Sequence, residues 1–349
     1  MIITLKDTRT REISRKIDEL HEERGEAALG RVLTLLIATD EGELEHALEV
    51  ANSASREHPC RVIAIVPQSG KAARKAEQED EAIEAAKAAK TDGPALVDTT
   101  GGMAADLASE AGPSNLDAEI RFGADAGAGE IIVLRPRAGL VHHPDTLVIP
   151  LLVPDSPVVA WWPTEAPANL SKDLLGRMAS SRITDAMRSS NPSRAIEDRR
   201  RNFTPENIDM SWTRLTVWRA MLATMLDQPP HLPIISVRVA GPKGFLPMDM
   251  LAAWLRLKLG VSVAMEDVPG ATAVTGVYLE RADGTLSLER PSADEGVAVI
   301  STPGQTPQTM SVPARTLEEC LSEELRRLDP DEVYAEVVTR GWDFIHPSC

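Results

Sequence analysis

Two aliphatic runs of strand length, separated by a segment of helix length, constrain this chain more than any other feature. Arg31-Val-Leu-Thr-Leu-Leu-Ile37 and Arg61-Val-Ile-Ala-Ile-Val66 are nearly continuous apolar runs bracketing Thr39-Asp40 to about Ser55. Strand, helix and strand fall within about 36 residues, the spacing of a parallel βαβ unit whose helix must cover the sheet. Asp40 and Glu43 stand three apart, a pattern in which one side chain accepts from a free helix amide and the other reaches back. Further strands are expected at 118–122 and 131–134. The N-terminal domain therefore reads as α/β with a largely parallel sheet.

Residues 71–90 hold eight alanines, five acidic and five basic residues, with Ile83 as the one larger aliphatic. Such a segment cannot anchor a core, so about 68–115 reads as a low-complexity insertion, a solvated helix or disordered. The loop Gly123-Ala-Asp-Ala-Gly-Ala-Gly129 has the look of a dinucleotide fingerprint. A phosphate cradle, however, needs its glycines after a strand and at a helix N-terminus, and Gly129 leads into a strand, so a turn is expected. Gly101-Gly102 sits better after Val97-Asp98 but lies inside the insertion.

Seven prolines crowd 136–167 around Ser156-Pro-Val-Val-Ala-Trp-Trp-Pro163, which reads as the last strand of a first domain, residues 1–165. Trp161 and Trp162 are neighbours, so on a strand they face opposite ways. Either both faces are covered by helices, or one indole serves a cleft or a partner surface, where tryptophan is a favoured anchor. A connector, 166–230, follows. Its stretch Arg177–Arg201 holds seven arginines against Asp185, Glu197 and Asp198, and reads either as a solvated linker or as a basic strip that meets carboxylate or phosphate. Leu215, Trp218, Leu222, Met225 and Leu226 share a helical face within 212–227, with Arg214 and Trp218 one turn apart and Trp212 and Arg219 on flanking turns. Such an aromatic stripe belongs more often to a core than to a binding box.

From 231 the grammar changes. A strand is expected at 234–239, a helix from about 245 to 259, and a strand at 261–265. Polarity then alternates on both sides of Asp283-Gly284, a dipeptide suited to a hairpin turn. Strands near 296–301 and 308–312 follow, and Thr316 with Glu319 forms a capping pair before Leu317, Cys320, Leu321 and Leu325. Residues 231–349 read as an α+β C-terminal domain with an antiparallel sheet.

The 349 residues, 43% hydrophobic, suffice for two such cores. A formal charge of −16 repels phosphate backbones and anionic membranes, so neither nucleic acid nor membrane is an expected partner. Cys60, Cys320 and Cys349 are too few and scattered for a disulfide framework or a four-ligand zinc site, which fits a reducing compartment. Lys6 and Asp7 interrupt the N-terminus before a secretory run can build, and prolines break the apolar stretch 147–163, so a cytoplasmic location is expected. No histidine stands at metal-ligand spacing, and the Gly-x-Ser-x-Gly, P-loop and Cys-x-x-Cys signatures are absent. No cofactor, metal or catalytic residue is expected.

Several stretches together resemble the glucose-6-phosphate dehydrogenase assembly protein family (OpcA). They are Leu29-Gly-Arg-Val-Leu-Thr-Leu35, Arg56-Glu-His-Pro-Cys-Arg-Val-Ile63, Gly123-Ala-Asp-Ala-Gly127, Pro157-Val-Val-Ala-Trp-Trp-Pro163, Arg182-Ile-Thr-Asp-Ala186, Trp212-Thr-Arg-Leu-Thr, Trp218-Arg219 and Glu324-Leu-Arg-Arg-Leu-Asp-Pro330. The insertion is longer than the family pattern, and Thr204-Pro-Glu-Asn-Ile-Asp209 departs from its usual turn. The resemblance implies a non-enzymatic helper, chiefly of actinobacteria, that binds glucose-6-phosphate dehydrogenase and favours its active oligomer. Composition nominates Trp161, Trp162, Arg182, Asp185, Trp212, Arg214, Trp218 and Arg219 as the docking residues. Two other classes stay open. One is an enzyme or sensor binding NADP or a sugar phosphate at the carboxyl ends of the N-terminal strands, with Arg182 or Arg214 gripping phosphate. The other is a scaffold joining several enzymes of the pathway.

Overall fold

The computed structural model describes residues 1–24, 32–67, 115–122 and 129–346. Residues 68–114 of the insertion, with Gly101-Gly102, lie outside it, as do positions 123–128 of the glycine loop, 29–31 and Cys349. The chain divides into two compact units, Met1–Val158 and Val159–Cys349.

In the first unit the continuous apolar runs become buried strands, because a parallel sheet covered on both faces has no polar side. Strands β1 (Ile2–Leu5), β2 (Leu33–Ala38), β3 (Cys60–Ile65), β4 (Leu116–Phe122) and β5 (Glu130–Pro136) lie in the order β1-β4-β5-β3-β2. Here β2, β3 and β5 run parallel, while β4 is antiparallel to both β1 and β5. Helices α1 (Thr10–Arg24), α2 (Leu44–Ser55) and α3 (Pro144–Val148) are the α-helices among the described residues of this unit. The expected β2-α2-β3 unit is present. Of the Asp40–Glu43 pattern the first half is as expected: Asp40 Oδ1 accepts from Glu43 N at 3.1 Å, and also from Gly42 N at 2.8 Å, closing a turn before α2 starts. Gly129 is needed for close packing between strands, since a Cβ there would stand 2.0 Å from the Cys60 carbonyl oxygen.

The second unit begins with three short parallel strands, β6 (Val158–Trp162), β7 (Ser181–Thr184) and β8 (Asn207–Asp209). The Trp-Trp strand is therefore followed by two more parallel strands, and the expected connector contributes sheet and helix. Both strands hide in polar sequence because they are only 4 and 3 residues long. Helix α4 (Pro192–Arg201) connects β7 to β8, with Asn191 as N-cap and proline in its first turn. The helix expected over 212–227 is broken into α5 (Met210–Thr213) and α6 (Thr216–Leu226), with Arg214 and Leu215 at the break.

A second, six-stranded sheet follows in the order β10-β9-β11-β12-β13-β14. It comprises β9 (Ser236–Gly241), β10 (Ser262–Asp267), β11 (Gly276–Arg281), β12 (Gly284–Glu289), β13 (Val297–Ser301) and β14 (Gln308–Ser311). Only β9 and β10 pair in parallel, joined through α7 (Leu246–Leu259); the remaining pairs are antiparallel. The hairpin turn sits one residue earlier than expected, on Ala282-Asp283, because Arg281 pairs with Gly284. The Thr316–Glu319 capping box opens α8 (Leu317–Arg326) as expected, and α9 (Glu332–Glu336) follows unforeseen. The fold class is thus a mostly parallel α/β sheet in the N-terminal part and a mixed, mostly antiparallel sheet with helices in the C-terminal part. No helix among the described residues is long and apolar enough to cross a membrane.

Candidate functional site

The register of β6, β7 and β8 sets Trp162, Thr184 and Asp209 in one row at their carboxyl ends. The Asp209 carboxylate is a junction in that row. Its Oδ2 accepts from Thr184 Oγ1 at 2.7 Å and from Ala186 N at 2.9 Å, while Oδ1 caps α5 by accepting from Ser211 N at 2.9 Å. Asp185, also fully buried, is gripped by Arg214 through Nη1 at 2.9 Å and Nη2 at 2.7 Å. This planar fork joins Arg182-Ile-Thr-Asp185 to Trp212-Thr-Arg214 across 29 residues. Burial raises the Asp185 pKa above its ordinary value, with Arg214 opposing that shift.

The third segment joins the same frame. Trp212 Nε1 donates to Asp331 Oδ2 at 2.9 Å, Arg219 lies 3.8 Å over the Trp212 ring, and Thr213 Oγ1 donates to Glu324 Oε1 at 2.5 Å. Arg182 turns away from this cluster. Its Nε donates to the Gly176 carbonyl at 2.8 Å and its Nη1 to Asn207 Oδ1 and Thr204 Oγ1, both at 3.1 Å. Arg182 and Arg214 are thus occupied by internal partners, and neither is available to grip phosphate. All four nominated tryptophans are buried: Trp161 and Trp162 on the two faces of β6, Trp212 in α5 and Trp218 in α6. Trp218 also borders a small, mainly apolar cavity of about 190 Å³ beside Leu215 and Phe245.

Burial also decides the protonation of Glu324, pushing its carboxyl up to about 7 even though Thr213 donates to it. A carboxyl raised in the folded state contributes stability that is complete below its ordinary 4.5 and lost as pH rises through 7. Glu324→Gln is expected to match the parent near pH 4.5 and exceed it by up to about 3 kcal/mol at pH 8. Urea unfolding at the two pH values reads this directly, and equal differences at both would refute it.

The arginine run is neither a free linker nor an open basic strip. Arg200 binds Glu197, Asp343 and the Val338 carbonyl, and Arg199 is buried. Only Arg194 and Arg201, with side chains 79% and 72% exposed, stand out from α4. Inside α4, at the carboxyl ends of β6–β8, lies a polar cavity of about 450 Å³. Glu165 at its rim accepts from Ser190 N at 2.5 Å, which holds its carboxyl below the ordinary range. Arg199, Asp209, Glu165 and Asn191 were not singled out from sequence. Of these only Asn191, followed by proline, carries a local signal, that of a helix start.

Within the described residues no group of histidine, cysteine and carboxylate side chains could hold a metal ion. Burial pushes the Cys60 thiol up to about 12 and the Cys320 thiol up to about 11, away from nucleophilic use at neutral pH. What the fold and its site define is a two-unit α/β and α+β protein whose second unit holds a polar cavity beside the buried Asp185–Arg214 pair. Two family descriptions match it, the glucose-6-phosphate dehydrogenase subunit N-terminal domain over residues 51–201 and the corresponding C-terminal domain over residues 205–338. The chain belongs to the glucose-6-phosphate dehydrogenase assembly family, OpcA. No curated protein matches it. Among solved structures it is similar to an oxidoreductase from Sinorhizobium meliloti at 10% identity, over 90% of this chain and 96% of that one, with a TM-score of 0.45. That likeness is too distant to bear on fold or function.

Proposed function

We propose that this chain is a non-enzymatic partner of glucose-6-phosphate dehydrogenase that favours its active oligomer in the oxidative pentose phosphate pathway. The observation that carries the reading is the pair of family matches, which together run from 51 to 338 with a gap of only residues 202–204. Such a helper raises activity only by binding the competent assembly more tightly than the inactive one. Each 1.4 kcal/mol of difference shifts that balance about tenfold.

The buried indoles and the Asp185–Arg214 pair then act as the frame, and contact falls to exposed groups supported by it. Arg194 and Arg201 are seven residues apart and so share one face of α4. Their pairings with Asp198 and Glu197 are exposed and worth no more than about 1 kcal/mol, so they can be exchanged for a partner's carboxylates at little cost. Arg182 and Arg214 cannot make that exchange cheaply. Arg194→Glu together with Arg201→Glu is expected to weaken co-purification with the dehydrogenase by at least about tenfold while leaving the melting temperature within a few degrees. Undiminished binding by the folded double variant would exclude this face.

A further inference from the structure

We propose that the polar cavity at the carboxyl ends of β6, β7 and β8 binds a small polyhydroxylated anion whose charged group pairs with Arg199. This goes beyond the dehydrogenase-binding reading and does not depend on it.

The first observation is Arg199 itself. It lines the cavity and is only 4% exposed, yet its Nε and Nη1 have no hydrogen-bond acceptor. Nη2 alone is used, donating to the Pro167 carbonyl. A buried charged donor left unpaired is costly, and burial lowers the Arg199 pKa for that reason. The nearby Asp209 contributes its field, but its oxygens are already engaged by Thr184, Ala186 and Ser211. Arg199 forms part of the cavity wall while its Nε and Nη1 are closed to solvent, so an oxyanion in the cavity supplies the missing acceptor through a turn of the guanidinium toward it.

The second observation is the setting. The N-terminal turn of α4, a helix of 10 residues, lines the same cavity through Asn191, Arg194 and Ala195, so its positive dipole end adds to the Arg199 charge. The cavity also lies where parallel strands end, the usual ligand position in such sheets.

The third observation is the chemistry of the walls. Hydroxyls of Thr164, Ser189 and Ser190 share the lining with four carboxylates; Arg214 neutralises Asp185 and three internal donors engage Asp209, which leaves Glu165 and Asp198 to accept from a ligand's hydroxyls while Arg199 donates to its anion. Its apolar lining consists of alanines, with no aromatic or large aliphatic side chain. A flat base or nicotinamide ring would find no stacking surface there, whereas a hydroxylated carbon chain needs none. At about 450 Å³ the volume falls within the range of small-molecule sites.

Two sources share this chemistry, a sugar-type carboxylate and a sugar-type phosphate ester. Calorimetric titration of the full chain alone with gluconate and with sorbitol 6-phosphate separates them, with sorbitol and inorganic phosphate as probes that each lack one feature. At least one polyol anion is expected to bind saturably, at least about tenfold tighter than either single-feature probe. Ala195→Leu, which places a larger side chain at the cavity wall in a helix that tolerates leucine, is expected to weaken that binding by at least about tenfold with helicity unchanged. Arg199→Gln is expected to do the same where it folds. The proposal is overturned if neither anion binds at millimolar concentration, if sorbitol or inorganic phosphate binds as tightly as both, or if Ala195→Leu binds undiminished. A chain that binds the anion but no dehydrogenase would keep this site and lose the partner reading.

Discussion

Arg214→Met is expected to lower the unfolding free energy of the second unit by about 3–5 kcal/mol, because it leaves the fully buried Asp185 carboxylate without its counter-charge. Pairing it with Asp185→Asn removes the charge as well, and the double variant is expected to recover much of the loss. The cost lies in stranding one ion rather than in losing attraction. The Arg214→Met deficit should also shrink as pH falls toward 3.8, the ordinary value for this carboxyl, since a protonated Asp185 needs no partner. Denaturant titration of the parent, both single variants and the double closes the cycle. A single-variant loss under about 1 kcal/mol would show that the pair is not the tie between the two segments described here.

Asp209→Ala should be comparably damaging, at about 4 kcal/mol, for a different reason. It leaves Ala186 N and Ser211 N without an acceptor and Thr184 Oγ1 with only the Ile208 carbonyl at 3.4 Å, all three at buried positions, and each buried donor left unpaired costs about 1–3 kcal/mol. The loss is distributed over the β7–β8 pairing, the turn after β7 and the cap of α5. Hydrogen exchange should therefore show the amides of Ala186 and Ser211 losing protection first. Asp209→Asn, which keeps the shape and one acceptor, is expected to lose about half as much. Equal stability of the alanine variant and the parent would contradict the hydrogen-bonding described.

How much of this was legible in the sequence follows from where each partner lies. The β2-α2-β3 unit was readable because parallel strands covered on both faces are continuous apolar runs. The α8 capping box was readable because both halves of the interaction lie within four residues. The hairpin slipped by one residue because Gly284, with φ of 129°, marks the residue after the turn and not its centre. Strands β7 and β8 were missed because they are short and carry Arg182, Asn207 and Asp209, whose polarity is satisfied by residues far away in sequence. The same distance misled the reading of the arginines. Arg200 finds Asp343 across 143 residues and Arg214 finds Asp185 across 29, so a local count of charges reads them as unpaired. Nothing local distinguishes Arg199 from its two arginine neighbours; only burial does. The tryptophans were nominated by type, and the structure uses all four as interior.

The most direct test of the partner role is sedimentation of the purified chain mixed with its dehydrogenase at micromolar concentration, with the specific activity of the enzyme followed in the same samples. One co-sedimenting species of defined stoichiometry is expected, carrying a larger share of the higher dehydrogenase oligomer and a higher activity per subunit. Separate boundaries for the two proteins with unchanged specific activity would contradict it.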